Sequence, residues 1–529
     1  MISCDRLYYR LSGGLAEKQI STSEHRVKRS LPAFLALISL SNFSFAQTAK
    51  TGQAANGAAA VKTAPAKQAS YEVPIVTKTL ANGLEVIVLP DSTVPLVTVE
   101  LAVRNGSFTE PPELNGLSHL FEHMFFKPNE AILLAQCETA SRFGTLSDRC
   151  NDAMKLKPLI GDVSYLRNLG NMGITYNGST REEVVNYYYT TTSQYFPTAL
   201  RVINDSVRFP MFDRSDLEDE KKVVIGEIDR NESNPFYYLN TELMNKLFFK
   251  YPTRKNPLGT RESVSAATPE TMKLIQSRYY VPNNSALVVT GDVKPDQVFD
   301  QVEKVMGGWE RRATDPFKEF PLVEHPPLPK SEGVINTQPI ENVFIEIGWH
   351  GPSIGKDDKA TYAADVFSYI VGQPDSKLQR DLVDTGLASA VGVNYYTQRN
   401  VGPITVLLVT SPEKAKAAVK AVYDEINQWA SPTYFTDEEL EASKATLQAR
   451  DLFDREETSE YTHTLGFWWS STGIDYFRGY QNNLNATTRA DINRYITTYI
   501  LGKPHVGLAL MSEDAKTASK LTEQDLIGK

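Results

Sequence analysis

The chain has 529 residues, 41% of them apolar and 10% aromatic, more than one hydrophobic core holds and ample to fill two or more domains. A formal charge of −9 and a pI near 5.5 offer no basic field to nucleic acid or anionic lipid, so no nucleic-acid partner is expected.

Near the N-terminus, Arg26, Lys28 and Arg29 precede an apolar run from Leu31 to Phe45, and Ser44-Phe45-Ala46 stands before Gln47. This order reads as a secretory signal over residues 1–46, cleaved after Ala46; the run is too short for a bilayer. Residues 1–23 are polar and fit no signal region, as if the start were assigned too far upstream. Residues 47–70 are Ala, Thr, Gln, Gly and Lys with almost nothing to bury, a flexible tether. No later stretch is apolar enough to cross a membrane, so the processed chain is expected to be periplasmic or secreted with no stable membrane span.

Folding is expected to start near Tyr71. In "ANGLEVIVLPDSTVPLVTVELAVRNGSFTE", β-branched runs broken by Asn-Gly and Pro-Asp-Ser predict adjacent strands. "LNGLSHLFEHMFFK" then switches to helical spacing until Lys127-Pro128 stops it. On that helix His119 and His123 lie one turn apart on the same face, so both imidazoles can converge on one ion, and Glu122 shares the face. Two histidines supply most of a catalytic zinc shell, and a carboxylate beside them can take a proton from an activated water. The alternative, an amphipathic helix with two histidines at its polar edge, is outweighed by the pattern in a chain with only seven histidines.

Of three cysteines, Cys4 falls in the segment removed, which leaves Cys137 and Cys150. In an oxidising compartment they are expected to bond, closing a short loop for about 3 kcal/mol in the chain-entropy account. A thiolate metal pair would need further soft ligands that the neighbourhood lacks.

Strands are expected at "GITYNGST" and "VVNYYYTT", then a long helix in "FDRSDLEDEKKVVIGEIDRNES" with Val223, Val224 and Ile228 as its apolar side. Glu220 and Glu227 stand seven apart, two turns along one face; one acid can ligate while another orients a histidine. Helix geometry alone does not choose among Glu218, Glu220 and Glu227. "ATPETMKLIQSRYY" predicts a further helix, with a Thr-x-x-Glu start only loosely placed, and "NSALVVTGDV" a buried strand.

The proline- and charge-rich residues 314–333 read as a linker between a first domain, 71–313, and a second, 334–529. The second half offers a strand "ENVFIEIGWHG", a helix "KATYAADVFSYIVG", strands near "ASAVGVNYYTQR" and "PITVLLVTS", two long helices and a last strand "HVGLALM". The repeated order predicts a duplicated α+β domain, each copy a mixed, largely antiparallel sheet with helices packed on it.

The order H-x-x-E-H followed by the E-x-x-x-x-x-x-E helix resembles the pitrilysin/insulinase family of zinc metallopeptidases, in which the common H-E-x-x-H order is inverted. The likeness runs from "TLANGLEVIVLPD" through "YYVPNNSALVVTGDV" to "ATTRADINRYITTYI". It implies one zinc ion per chain, with His119, His123 and Glu227 as ligands, Glu122 as general base and Glu220 as the auxiliary catalytic acid that supports the site. It also implies a clamshell of two halves around peptide substrates, which pair with a strand beside the zinc. Asn177 falls on the substrate-binding position of that strand, and Tyr187, Tyr188 and Tyr189 are weaker candidates to reach substrate, since strand aromatics are more often core.

Two departures from the family stand out. The gap between His123 and Glu227 is long, with an insertion at about 129–163 that holds Cys137 and Cys150. In "SKLQRDLVDTGLASAVGV" the substrate-binding arginine and tyrosine of many members fall on Val383 and Ser389, and Arg380 is out of register. Some bacterial members divide the zinc motif and this arginine and tyrosine between two chains. The resemblance therefore implies the zinc subunit of a heterodimer, with a related subunit supplying the arginine and tyrosine; a non-catalytic scaffold or peptide-binding subunit is the alternative.

Overall fold

The structure, a computed structural model, describes residues 73–142 and 147–529, so the segments read as signal and tether lie outside the described residues. Six strands form a first sheet: β1 (Val76–Thr79), β2 (Glu85–Pro90), β3 (Leu96–Val103), β4 (Thr175–Thr180), β5 (Val185–Thr192) and β6 (Ser285–Gly291). Five form a second: β7 (Glu332–Thr337), β8 (Val343–His350), β9 (Ala390–Tyr395), β10 (Pro403–Thr410) and β11 (Val506–Met511). The spatial orders are β1-β2-β6-β3-β5-β4 and β7-β11-β8-β10-β9. Without β1 the two orders are the same. Each sheet has one parallel pair, β2 with β6 and β7 with β11, and its other pairs are antiparallel. The fold is thus α+β, with the duplication written into strand pairing.

The helices repeat as well. In the first half the principal ones are α1 (Leu117–Phe125), α2 (Glu130–Ala140), α3 (Asp148–Lys155), α4 (Phe196–Arg208), α5 (Arg214–Glu232), α6 (Pro235–Leu247) and α7 (Pro269–Tyr279). In the second they are α8 (Asp358–Gly372), α9 (Ala415–Gln428), α10 (Asp437–Asp454), α11 (Thr458–Ser471) and α12 (Arg489–Tyr499). The last helix before the closing strand carries the same reciprocal cap in both halves, Thr268 with Thr271 and Thr488 with Asp491. The partner of Thr268 is a threonine, not the glutamate the sequence suggested. Between β10 and β11, where two long helices were expected, there are five, counting Ile474–Asn485. Short breaks at Ser431–Thr436 and near Arg455 divide the apolar periodicity.

Strand β3, "LVTVELAV", buries every residue after Leu96 and shows none of the alternation of a half-exposed strand. The reason is that both faces of its sheet are covered. α1 and α4 pack on one face, and α11, from the second half, packs against β3 and β6 on the other. Reciprocally, α6 of the first half lies on β11 and β8 of the second sheet. It presents Leu239, Leu243 and Leu247, one turn apart and at most 1% exposed, each worth about 1.5–3 kcal/mol on full burial. Gly348 on β8 admits this helix, since a Cβ there would sit 2.6 Å from a Leu247 methyl. The two halves are therefore interlocked by exchanged helices.

The stretch read as an insertion has a small core of its own, built from Ala131, Leu134, Ile160 and Val163. Asn129 caps α2 by accepting from the amides of Ala131 and Ile132, and Cys137 on α2 is bonded to Cys150 on α3 with their Cα atoms 5.4 Å apart. The segment read as the linker holds a short helix, Pro316–Glu319, and gives its last two residues to β7.

Candidate metal centre

α1 is amphipathic with a broad apolar side. Leu117, Leu120, Phe121, Met124 and Phe125 are buried in the first core; Phe121 stacks on Tyr280 and Phe125 on Tyr187. The remaining face carries His119, Glu122 and His123 toward α5 and β4. On α5 the inner stripe is Leu217, Val224 and Ile228 with Glu220 and Lys221 among them. Val223, read from the sequence as part of that stripe, is instead 46% exposed. A 100° step per residue carries it past the edge of the contact with α1.

The two helices bring His119, His123 and Glu227 together. Glu227 Oε2 lies 3.5 Å from His119 Nε2 and 3.8 Å from His123 Nε2, and one ligand atom from each residue lies within 4.8 Å of the others. The opposite ring nitrogen of His123, Nδ1, is 2.9 Å from Glu220 Oε2, and Lys127 closes on the other oxygen of the same carboxylate. With Nδ1 turned to Glu220, Nε2 is the ring nitrogen that faces Glu227, the orientation that a ligating histidine needs. Burial, and then the neighbouring His123, pull His119 down to about 3, so its imidazole is neutral across the physiological range. Its Nδ1 is buried without a hydrogen-bond partner. Two imidazoles and one carboxylate whose ligand atoms lie within 4.8 Å of one another match the His/His/Glu donor set of a zinc ion.

Glu122 sits between the two histidines in sequence and against β4 in space. Thr180 Oγ1 donates to its Oε2 at 2.7 Å. Burial pushes the carboxyl up to about 7 despite that bond, a value suited to a group that exchanges protons near neutrality. Gly178 makes the approach possible, because a Cβ there would fall 2.6 Å from Glu122 Cγ. Neither Gly178 nor Thr180 was singled out in the sequence reading. The one available signal was a glycine inside a strand, which marks close approach of another group.

Strand β4 is the last of its sheet, and its outer edge carries no strand among the described residues. Asn177 on this strand is exposed and accepts from the Gly178 amide at 2.9 Å. Of the three tyrosines of β5, Tyr187 and Tyr189 are buried against Phe125 and Phe126 at the end of α1, and Tyr188 points to the other face against His463 of α11. The Cys137–Cys150 pair belongs to the insertion and contributes no atom to the metal group. Val383 stands in the π-helical turn Arg380–Asp384, and Ser389 just before β9, bonded through its amide to Val409.

Residues 86–132 and 161–261 match the family described as Insulinase (Peptidase family M16), and residues 266–447 match its companion, Peptidase M16 inactive domain. Together these matches take in more than half of the chain, which belongs to peptidase family M16. The stretch left between the two parts of the first match, 133–160, falls within the insertion. The uncharacterized zinc protease YmxG of Bacillus subtilis is 24% identical over 383 residues, 72% of this chain and 84% of that one. The zinc protease PqqE of Helicobacter pylori is 21% identical over 434 residues, 80% of this chain and 89% of that one. Among solved structures, a protease from Helicobacter pylori shares the fold with a TM-score of 0.67 at 19% identity, covering 82% of this chain and 99% of that one. A peptidase M16 inactive domain from Pseudomonas fluorescens shares it with a TM-score of 0.64 at 15% identity, over 83% and 98%.

Proposed function

We propose that this chain is an exported zinc-dependent endopeptidase that hydrolyses peptides or unfolded protein segments. The observation that carries the reading is the convergence of His119, His123 and Glu227 with Glu122 beside them, next to an open strand edge. An extended peptide pairs with β4 through main-chain hydrogen bonds, so affinity asks little of substrate side chains. One zinc ion bound there supplies Lewis acidity at the scissile carbonyl and lowers the pKa of water. Glu122, aligned by Thr180, accepts the proton of the attacking water and returns it to the leaving amine. Glu220 holds His123 in the ligating tautomer, and Lys127 balances its charge.

Export is supported by the basic-then-apolar segment ending at Ala46 and by the bonded cysteine pair, which suits an oxidising compartment. A second, related subunit is supported by Val383 and Ser389, which stand where the resemblance places a substrate-binding arginine and tyrosine. The test is to purify the chain from Gln47 onward with and without the product of any adjacent related gene. We then measure zinc per chain and cleavage of a quenched fluorescent, unstructured peptide. One zinc per chain, with cleavage that needs the second subunit, is expected. Zinc binding without cleavage in either preparation overturns the enzyme reading in favour of a peptide-capturing subunit.

A further inference from the structure

The metal-bearing helix α1 is only nine residues long, and its start is unusual. Its N-cap is Gly116, in the left-handed region at φ 87°, which offers no side chain to the free amides of the first turn. A capping serine or aspartate cannot stand there, because a Cβ on Gly116 would lie 2.6 Å from the Gly259 Cα. The function is taken over by Glu110, six residues earlier and 3% exposed. Its Oε2 accepts from the Gly116 amide at 2.7 Å, and its Oε1 accepts from the Ser118 amide at 2.5 Å. A carboxylate at this end also opposes the positive pole of the helix.

The same carboxylate accepts from Asn115 Nδ2 at 3.2 Å. Asn115 carries the connection outward: its amide also donates to the carbonyls of Thr253 and Asn256 at 3.0 Å each, and its own carbonyl accepts from Ser263 Oγ at 2.6 Å. In that segment Arg261 pairs with Asp229 at 2.5 Å and Glu232 at 2.6 Å, both on the last turns of α5. Glu227, the third metal residue, lies on α5 just before them. One connecting segment, 253–263, therefore ties the start of the helix bearing His119 and His123 to the end of the helix bearing Glu227.

We infer that Glu110 is a positioning residue for the metal centre, which sets the start of α1 against the 253–263 segment and so fixes the spacing of the two histidines to Glu227. The inference rests on the zinc reading above and deepens it. Glu110→Gln keeps the shape but swaps one accepting oxygen for a donor that faces a helix amide. The chain is tested from Gln47 onward, with its partner if one is needed, by chelator competition for zinc and by thermal unfolding of the metal-free form. Expected is a zinc affinity weaker by about 10–100-fold, the range for residues that orient ligands. The metal-free variant should unfold somewhat earlier, as the loss of a buried cap requires, while kcat should recover in excess zinc and KM should stay unchanged.

Parent-like zinc affinity in a folded Glu110→Gln overturns the inference, as does a fall in metal-free stability with affinity intact, which marks a role in folding alone. If Glu110→Gln does not fold, Glu110→Asp is measured in the same way. It keeps the charge but shortens the reach, and parent-like affinity there also overturns the inference. A parent that binds no zinc instead sinks the functional reading, and the two failures are thereby told apart.

Discussion

Glu100 on β3 and Glu346 on β8 stand at equivalent points of the two sheets, each on the face covered by the helix from the other half, and only Glu100 meets a histidine there. His463 of α11 pairs with Glu100 and lies against Tyr188, the ring centroids 4.3 Å apart and the planes tilted by 54°. Glu346 is 4% exposed, and one of its oxygens has no partner. A buried acid thus stands in both sheets, and a histidine beside it in one.

The lone acid should make stability depend on pH. Burial pushes Glu346 up to about 7 from an ordinary 4.5, so the folded state holds a proton that the unfolded state releases first. Stability is lost as pH rises across that window, by up to about 3 kcal/mol above it. Glu346→Gln, which does not titrate, should gain melting temperature relative to the parent between pH 5 and pH 8. A difference that stays flat across that range contradicts this account of the buried carboxyl.

His463 should act in a neighbouring range. Burial pulls its imidazole down, but Glu100 outweighs burial through charge and hydrogen bond and holds it above its ordinary value. A raised histidine stabilises the fold fully below the unfolded pKa, about 6.5, and loses that contribution as pH climbs through the folded value. Thermal unfolding of His463→Gln should therefore differ most from the parent at pH 6 and least in alkali. The opposite trend would show that the pair does not hold α11 to the first sheet.

Gly178→Ala tests the approach of β4 to the base. The new Cβ needs Glu122 to move, since it would lie 2.6 Å from Cγ. Loss of alignment with Thr180 should lower kcat by about tenfold or more, because misplacement by an ångström is enough to slow a positioned reaction. Zinc content, set by other atoms, should not change. Unaltered kcat in the zinc-loaded variant would mean that Glu122 has freedom the packing denies it.

Replacing both Cys137 and Cys150 with serine should loosen the insertion by about 2–4 kcal/mol, a local effect because its small core is separate from the main ones. Hydrogen exchange should quicken in α2 and α3 and leave α1 and α5 protected. Protection lost equally throughout would tie the insertion to the stability of the whole first half.

The metal residues were legible because a helix fixes which side chains share a face, so a spacing of four or seven is already geometry. What lay across the fold was not. The periodicity of α6 and α11 says that each buries a stripe, not that each buries it against the other half's sheet. Gly178 and Thr180 approach Glu122 through sheet pairing, which a linear reading does not contain. Val223 was misread because three adjacent apolar positions leave the edge of a stripe undetermined. Glu110 escaped because a cap is sought beside the helix, and here Gly259 crowds that position and the acid reaches in from six residues away.

The most direct test of the central claim compares the parent chain with Glu122→Gln at equal zinc occupancy, by the initial rate on a quenched fluorescent, unstructured peptide. If Glu122 moves the proton while His119, His123 and Glu227 hold the metal, the variant keeps its zinc and loses about 10²–10⁴-fold in kcat. A variant that cleaves at the parent's rate, or one that loses its zinc, would contradict the assignment.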